Sequence, residues 1–307
     1  MADTDPTPGA ISRLERFSSV GSTNDIVRAW LAAGTPEVCV AVADEQSAGR
    51  GRAGRAWTAP AGAALLMSCG FRPSWLGPER VWRLGATVSL AMCDAAEEVA
   101  GLREGAVALK WPNDLVVEVA GPHALLVGVA SAAEAAERLT APLALRKVAG
   151  VLGETDGLGT DDPRVVVGIG LNADWPAADF PPELAATMTS LREASAGRPI
   201  DREALLESFL EHLEARLAAL RGGYFDLQTW TARQALTRHV VRLDGVAVSE
   251  GADLRGAVAE WLVDGVDGAT GALVVSKMGA DGDAAGEPVL VHAGEVVRVR
   301  LASADGA

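Results

Sequence analysis

The sequence predicts an α/β domain followed by a small all-β domain, and three observations carry that prediction. Up to Trp230, apolar runs of strand length alternate with longer segments of helical period. Past Trp230 the helical period stops, and short alternating segments take over, separated by turn residues at the spacing of a small barrel. At 307 residues and 49% hydrophobic content, the chain can bury a core for one large domain and a small one. No internal repeat is visible.

Residues 1–12 are polar and proline-bearing and read as a disordered tail without an apolar signal region. Ser22-Thr23-Asn24 then opens a helix that Gly34 stops. All three are good helix caps, and position alone favours that reading over one in which they face a ligand. Val38–Ala43 and Gly62–Phe71 are apolar runs, hence buried strands. Pro78–Ala100 has a long amphipathic pattern, with proline near its start and Gly101 after its end. Ala106–Trp111 is a strand, and Pro112-Asn113-Asp114 turns it into Leu115–Val119. Residues 120–146 mix apolar runs with a possible short helix at Ser131–Leu139. Strands follow at Arg146–Glu154 and Arg164–Gly170, then helices at Pro182–Ala194 and Asp201–Arg221. The larger domain thus runs over 13–230. The smaller, over 235–302, has expected strands at Val240–Leu243, Leu254–Leu262, Gly271–Val275, Val289–Val291 and Glu295–Leu301.

A net charge of −14 argues against a general nucleic-acid or anionic-membrane binder. No apolar run reaches the length that crosses a bilayer. Cys39, Cys69 and Cys93 sit in apolar stretches without metal-ligand spacing and read as buried reduced thiols of a cytoplasmic protein. Lysine occurs only at Lys110, Lys147 and Lys277.

The stretch Gly49-Arg50-Gly51-Arg52-Ala53-Gly54-Arg55 packs three glycines and three arginines into seven positions. Guanidinium groups match carboxylate and phosphate oxygens in pairs, and glycine lets backbone pass close to a ligand. Such a loop suits a small anion. The spacing of its glycines also matches a dinucleotide fingerprint. That reading fails, because Ala56-Trp57-Thr58-Ala59-Pro60 follows where a helix would have to open. No Lys-Ser or Lys-Thr pair exists for a Walker A loop.

Taken in order, Ser22-Thr23-Asn24, Gln46 with GRGRAGRAW, Lys110-Trp-Pro-Asn-Asp114, Lys147-Val-Ala-Gly150 and Gly168-Ile-Gly-Leu-Asn172 resemble a bacterial biotin–protein ligase. The resemblance implies an α/β (α+β) catalytic domain with a mixed sheet, of the biotin/lipoate ligase type, and a C-terminal SH3-like β-barrel. It also implies a two-step reaction. Biotin and ATP give biotinyl-5′-AMP, and a lysine of a biotin carboxyl carrier protein then takes the biotin. By motif position, Ser22, Thr23, Asn24, Gln46, Arg50, Gly51, Arg52 and Lys147 would bind biotin. Arg55, Trp57, Asn113, Asp114 and Asn172 would bind ATP. Lys147, Arg52 and Asp114 would be catalytic, and Asp114 would hold Mg²⁺ or orient the acceptor lysine. The glycine-arginine loop would cover the intermediate.

Two departures stand out. About thirty residues separate KWPND from Lys147, where the family has a short hairpin. Only about twenty residues precede Ser22, too few for the helix-turn-helix of relatives that act as repressors, so no DNA partner is expected. The chain is expected to be a monomer or weak homodimer. The rival readings are a lipoate or octanoate ligase or transferase and, of another class, a non-catalytic biotin-binding regulator.

Overall fold

The computed structural model of the protein describes residues 3–4, 11–118, 145–248, 260–278 and 284–301. The expected helix at Ser131–Leu139, most of the excursion over 120–146 and the start of the expected strand Leu254–Leu262 lie outside the described residues.

The strands of the larger sheet are β1 (Asp3–Thr4), β2 (Arg13–Phe17), β3 (Cys39–Ala43), β4 (Ala64–Phe71), β5 (Val107–Lys110), β6 (Asp114–Glu118), β7 (Leu145–Asp156) and β8 (Arg164–Asn172). Their order across the sheet is β1-β2-β3-β4-β8-β7-β6-β5. The β2–β3 pair is parallel and the β3–β4, β4–β8 and β8–β7 pairs are antiparallel, so the sheet is mixed. Every residue of β3 and β4 is buried, as their unbroken apolar runs require.

Strand β2 was not expected, since Arg13-Leu-Glu-Arg-Phe17 reads as a charged segment. Its backbone is claimed by parallel pairing with β3, and Leu14 is buried. The expected tail over 1–12 also needs correction at both ends. Asp3–Thr4 pair with Arg16 and Glu15, Ile11 is buried, and Ser12 N–H donates to Val38 O at 2.7 Å.

Helix α1 (Thr23–Ala32) packs on the sheet face that carries Cys39, Ala41 and Val166, through Val27 and Leu31. Helix α2 (Trp82–Ala100) follows a 3-10 turn at Pro78–Arg80 and ends at Gly101 in the left-handed conformation. The expected helix Pro182–Ala194 is instead two single-turn helices, α3 (Pro182–Ala185) and α4 (Leu191–Ala194). Between them the backbone pairs with Lys147: Lys147 N–H donates to Thr187 O, and Thr189 N–H to Lys147 O, both at 2.9 Å. Groups spent on that pairing are not available to a helix. Helix α5 (Arg202–Arg221) is capped by Asp201, whose carboxylate accepts from the N–H groups of Glu203 and Ala204. It packs on α2, with Arg216 Nε donating to Asp94 Oδ2 at 2.8 Å. The three cysteines are free and buried, and burial pushes the Cys39 thiol up to about 11.

A short helix α6 (Leu227–Ala232) leads into β9 (His239–Val248), β10 (Trp261–Val266), β11 (Leu273–Met278) and β12 (Ala284–Leu301). These close into an antiparallel barrel in the order β10-β11-β12-β9, as an SH3-like barrel should. The two expected strands Val289–Val291 and Glu295–Leu301 are one strand, β12, whose register shifts on β9 absorb the irregular alternation.

The chain divides into two compact units, and the division does not fall at one point near residue 230. One unit is Met1–Val107, Asn113–Leu115 and Lys147–Asp226. The other is Ala108–Pro112, Val116–Arg146 and Leu227–Ala307. The reason lies in Leu109 and Trp111. Leu109 exchanges backbone bonds of 2.7 and 2.8 Å with Arg233 and Ala235. Trp111 is buried among Leu236, Val241, Trp261, Val263, Leu273, Val275 and Val291, and its indole N–H donates to Gly271 O at 3.3 Å. Among the described residues, no helix is long and apolar enough to cross a membrane.

Replacing Trp111 by alanine removes one of the two indole rings of that core and should cost about 3–5 kcal/mol of the second unit's stability. Denaturant unfolding followed by circular dichroism reads this out; a midpoint unchanged from wild type would show that the ring is not part of the core.

Candidate active site

The site begins with strand register. Gly150 of β7 faces Gly170 of β8, and Leu152 faces Gly168. On the next strand, Gly170 pairs with Leu66 and Gly168 with Ser68 of β4. Paired residues share a face, so two rows cross the sheet: Gly150–Gly170–Leu66 and Leu152–Gly168–Ser68. The glycines leave a bare floor there, and two side chains fill it. A Cβ at Gly170 would lie 2.3 Å from Trp57 Nε1, and one at Gly150 would lie 3.1 Å from Trp57 Cζ3. A Cβ at Gly168 would lie 2.1 Å from Asn24 Oδ1.

Trp57 arrives on that floor from the glycine-arginine loop, which folds as a hairpin. Arg50 bridges to Ala56, Gly51 N–H donates to Arg55 O at 2.7 Å, and Trp57 N–H to Gly49 O at 2.9 Å. The tip is a 3-10 turn at Arg52–Gly54, with Ala53 and Gly54 both at positive φ. A Cβ at Gly49 would lie 2.4 Å from Trp57 O, so only glycine lets the two arms close.

Lys147 Nζ sits 5.1 Å from the Trp57 ring centroid and 2.6 Å from Asp114 Oδ1. Both charged groups are about a quarter exposed, so solvent and ligand can reach them. Arg52 is close enough to feel the same carboxylate. Burial pushes its guanidinium below the usual value, Asp114 opposes that, and Arg55 adds to it. Two cations, Lys147 and Arg52, therefore lie near one carboxylate, with Arg55 beside Arg52, in a chain whose net charge is −14. Such an arrangement suits an anion.

The remaining expected residues have definite places. Thr23 N–H donates to Gln46 Oε1 at 2.7 Å, and Thr23 Oγ1 lies 3.0 Å from the same oxygen. Ser68 Oγ lies 2.7 Å from Thr23 Oγ1 and 2.6 Å from Asn24 Oδ1. Ser22 occupies the N-cap position of α1, yet its side chain makes no cap bond. The cap reading of Ser22-Thr23-Asn24 is thus corrected: Thr23 and Asn24 lie inside the first turn and bond across to the loop and the sheet. Their burial against β4 explains why capping propensity did not decide.

Arg50 grips Asp25 with two bonds of 2.8 Å and lies 3.5 Å from Glu154. Those bonds, then the charges of Arg50 and Arg28, hold Asp25 below the usual carboxylate range against its partial burial. Asn113 Nδ2 donates to Val151 O at 2.9 Å and so pins the KWPND turn to β7. Asn172 is fully buried, and its Nδ2 donates to Thr189 O at 2.9 Å. Thr189 in turn holds the backbone of Lys147, so Asn172 supports the lysine. Trp57 Nε1 and Asn172 Oδ1 are buried with no hydrogen-bond partner among the described residues, and such groups call for one. Among the described residues no cluster of three or more His, Cys, Asp or Glu could hold a metal ion, and Asp114 is already paired with Lys147. The donor set therefore does not fit a magnesium ion held at Asp114 by the protein alone.

The family described as Biotin/lipoate A/B protein ligase matches residues 17–172, half of the chain and nearly the whole of this site. The chain belongs to that family. It is 29% identical over 293 residues to the biotin–[acetyl-CoA-carboxylase] ligase of Mycobacterium tuberculosis, covering 94% of this chain and 90% of the relative. It is 30% identical over 181 residues to the bifunctional ligase/repressor BirA of Bacillus subtilis. There it covers 59% of this chain and 46% of the relative, so the chain spans about half the length of that protein. The structure of a biotin protein ligase from Aquifex aeolicus in complex with biotin and ATP superimposes with a TM-score of 0.64 at 22% identity, over 94% of this chain and 98% of that one. This shows a shared fold.

Four residues of this family member's site were missed in the sequence: Asp25, Arg28, Ser68 and Glu154. Asp25 and Arg28 read as an ordinary helix surface pair, and Ser68 as a small residue inside an apolar strand. Only the strand register brings Ser68 and Glu154 to the face that α1 covers.

Replacing Gly170 by valine should displace the Trp57 ring and cut turnover at the site by about a hundredfold, the scale of a 1 Å misplacement. Gly153→Ala, where a Cβ meets nothing within 4 Å, is the control. Pyrophosphate release with circular dichroism on both variants checks this; equal activity in the two would mean that the glycine floor is not part of the site.

Proposed function

We propose that the protein is an ATP-dependent biotin–protein ligase. The observation that carries this reading is the meeting of Lys147, Asp114 and Trp57 under the arginine hairpin, beside the Thr23–Asn24–Gln46 pocket. The names of the relatives in M. tuberculosis and A. aeolicus support it.

The first step joins two anions. A biotin carboxylate oxygen forms a bond to the α-phosphorus of ATP, and pyrophosphate leaves with the bonding pair. Coulomb repulsion opposes that approach. The Lys147 ammonium and the Arg52 guanidinium offset it, and they act most strongly where charge develops in the transition state. Asp114 keeps Lys147 directed into the site until an anion competes for it. The Trp57 ring offers an apolar wall beside the lysine, and its buried N–H is a donor ready for an acceptor on the ligand. The Thr23–Asn24–Gln46 group would take the polar ring of biotin, with the Gln46 amide nitrogen as a donor. Arg55, exposed at the hairpin, and Asn172 Oδ1 would face the nucleotide. Magnesium would arrive with the ATP phosphates, which supply most of its oxygens.

In the second step the amine of an acceptor lysine, on a carboxyl carrier protein, attacks the acyl carbon. AMP leaves, and the amine loses a proton. The acyl-adenylate is labile to water, and the hairpin is the element placed to cover it.

The purified protein incubated with biotin, MgATP and a carrier domain should release pyrophosphate, show the mass of biotinyl-AMP and label the carrier. Lipoyl-AMP in place of biotinyl-AMP would move the chain to the other branch of its family. Biotin binding without any adenylate would make it a regulator. Lys147→Ala should lower adenylate formation by about a hundredfold or more, as loss of a transition-state charge does. The same change should cost at most about 1 kcal/mol of stability, because the pair is partly solvated. Thermal melting beside the activity assay separates the two; a matched loss in both would make Lys147 a structural residue.

A further inference from the structure

A carboxylate outside the motifs lies behind the pocket. Glu154 Oε2 accepts from Asn24 Nδ2 at 2.7 Å and from Arg28 Nη2 at 2.6 Å, and Oε1 lies 3.5 Å from Arg50 Nη2. It belongs to the row Glu154–Val166–Gly70, on the face that α1 covers. We infer that Glu154 is a positioning residue, which sets the direction of the hydrogen-bond chain from Asn24 through Ser68 to the Thr23 hydroxyl beside Gln46. It would thereby decide which groups the pocket offers to biotin as donors and acceptors. This rests on the biotin reading above.

The argument counts protons. An ionised carboxylate only accepts, so the Asn24 amide must turn its NH₂ to Glu154. Its Oδ1 then faces Ser68 Oγ at 2.6 Å and must accept. Ser68 has one hydroxyl proton, and it is now spent on Asn24. The 2.7 Å contact between Ser68 and Thr23 Oγ1 is therefore one in which Thr23 donates. The Thr23 proton is then shared between Ser68 Oγ and Gln46 Oε1, which lies 3.0 Å away. Gln46 Oε1 also accepts from the Thr23 backbone N–H at 2.7 Å, which holds the amide with its oxygen toward α1 and its NH₂ away. Thr23, Asn24 and Ser68 are all nearly inaccessible, at 2%, 5% and 0% exposure, so water cannot rescue a wrong orientation. Without the carboxylate, Asn24 can flip, and the Asn24–Ser68 and Ser68–Thr23 bonds can reverse, while Gln46 stays held by the Thr23 backbone N–H. Arg28 and Arg50 flank Glu154, and both also bond to Asp25, which ties the carboxylate to α1 and to the hairpin base.

The test compares Glu154→Ala, Glu154→Gln and Ser68→Ala with wild type. Glutamine keeps an acceptor oxygen for Asn24, and alanine removes it; Ser68→Ala cuts the chain further along and leaves Glu154 in place. Adenylate formation is measured with biotin and ATP varied separately, biotin binding is measured by calorimetry without ATP, and each variant is melted. Glu154→Ala and Ser68→Ala should raise the biotin KM and Kd by about tenfold, the scale of one lost charged or buried hydrogen bond. The ATP KM and kcat should stay within about threefold, and Glu154→Gln should recover most of the biotin affinity. The inference is overturned by an unchanged biotin KM, by an equal rise in the ATP KM, or by Glu154→Gln behaving like Glu154→Ala. If Glu154→Ala melts too low to assay, Ser68→Ala and Glu154→Gln decide by the same criteria. Wild-type protein that neither binds biotin nor makes the adenylate removes the proposed function together with this inference. Active wild type with indifferent variants removes the inference alone.

Discussion

The antiparallel register of β7 on β8 is the constraint on which the site depends. It sets Gly150 opposite Gly170 and Leu152 opposite Gly168. A slip of one residue would turn these positions to the other face and bring bulky side chains under α1. With the register as it is, the sheet presents a strip of bare backbone. An indole lies on one row and an asparagine presses on the next. The candidate ligand groups are carried by neighbours of that strip: the N-terminus of α1, the arginine hairpin, the KWPND turn and Lys147 itself. The register is secured locally by the apolar residues of β8, and by Asn113 and Asn172, which bond to backbone at either side of Lys147.

The electrostatics follow the same plan. The chain as a whole repels anions, yet Lys147 and Arg52 lie near one carboxylate, with Arg55 beside Arg52. A second group, Arg28, Arg50, Asp25 and Glu154, is closer to balanced and lies against Asn24. In the proposed reaction the first group would act on a substrate's charge. The second bonds to the protein's own polar groups. Arg50 and Arg52, two positions apart in the loop, have different partners, because Arg50 lies on an arm of the hairpin and Arg52 in the 3-10 turn at its tip.

Much of this was legible. The α/β-then-barrel division, most of the strands and the five motifs were visible as apolar periods and as residue types in order. What was not legible has specific causes. Strand β2 hides in charged residues because a parallel neighbour supplies its pairing. The 182–194 segment has helical composition, but Lys147 claims its middle as a strand partner. Trp111, one residue after Lys110 in a functional motif, packs into the barrel core, so a single motif serves both units. Asn113 and Asn172 each also donate an amide N–H to a backbone carbonyl, a role that their motifs did not indicate.

Residue identity alone determined the chemistry on offer. Arginines beside glycines, a scarce lysine and a Pro-Asn-Asp turn specify affinity for anions wherever they fold, because charge and backbone freedom are properties of the residues themselves. Tertiary structure decided which of these groups meet. Gly150, Gly168 and Gly170 become a floor only when two strands pair in register, and Glu154 comes within reach of Asn24 only when α1 lies across that floor. The contact of Glu154 with Asn24 joins positions 130 residues apart, and no local pattern encodes a distance of that kind.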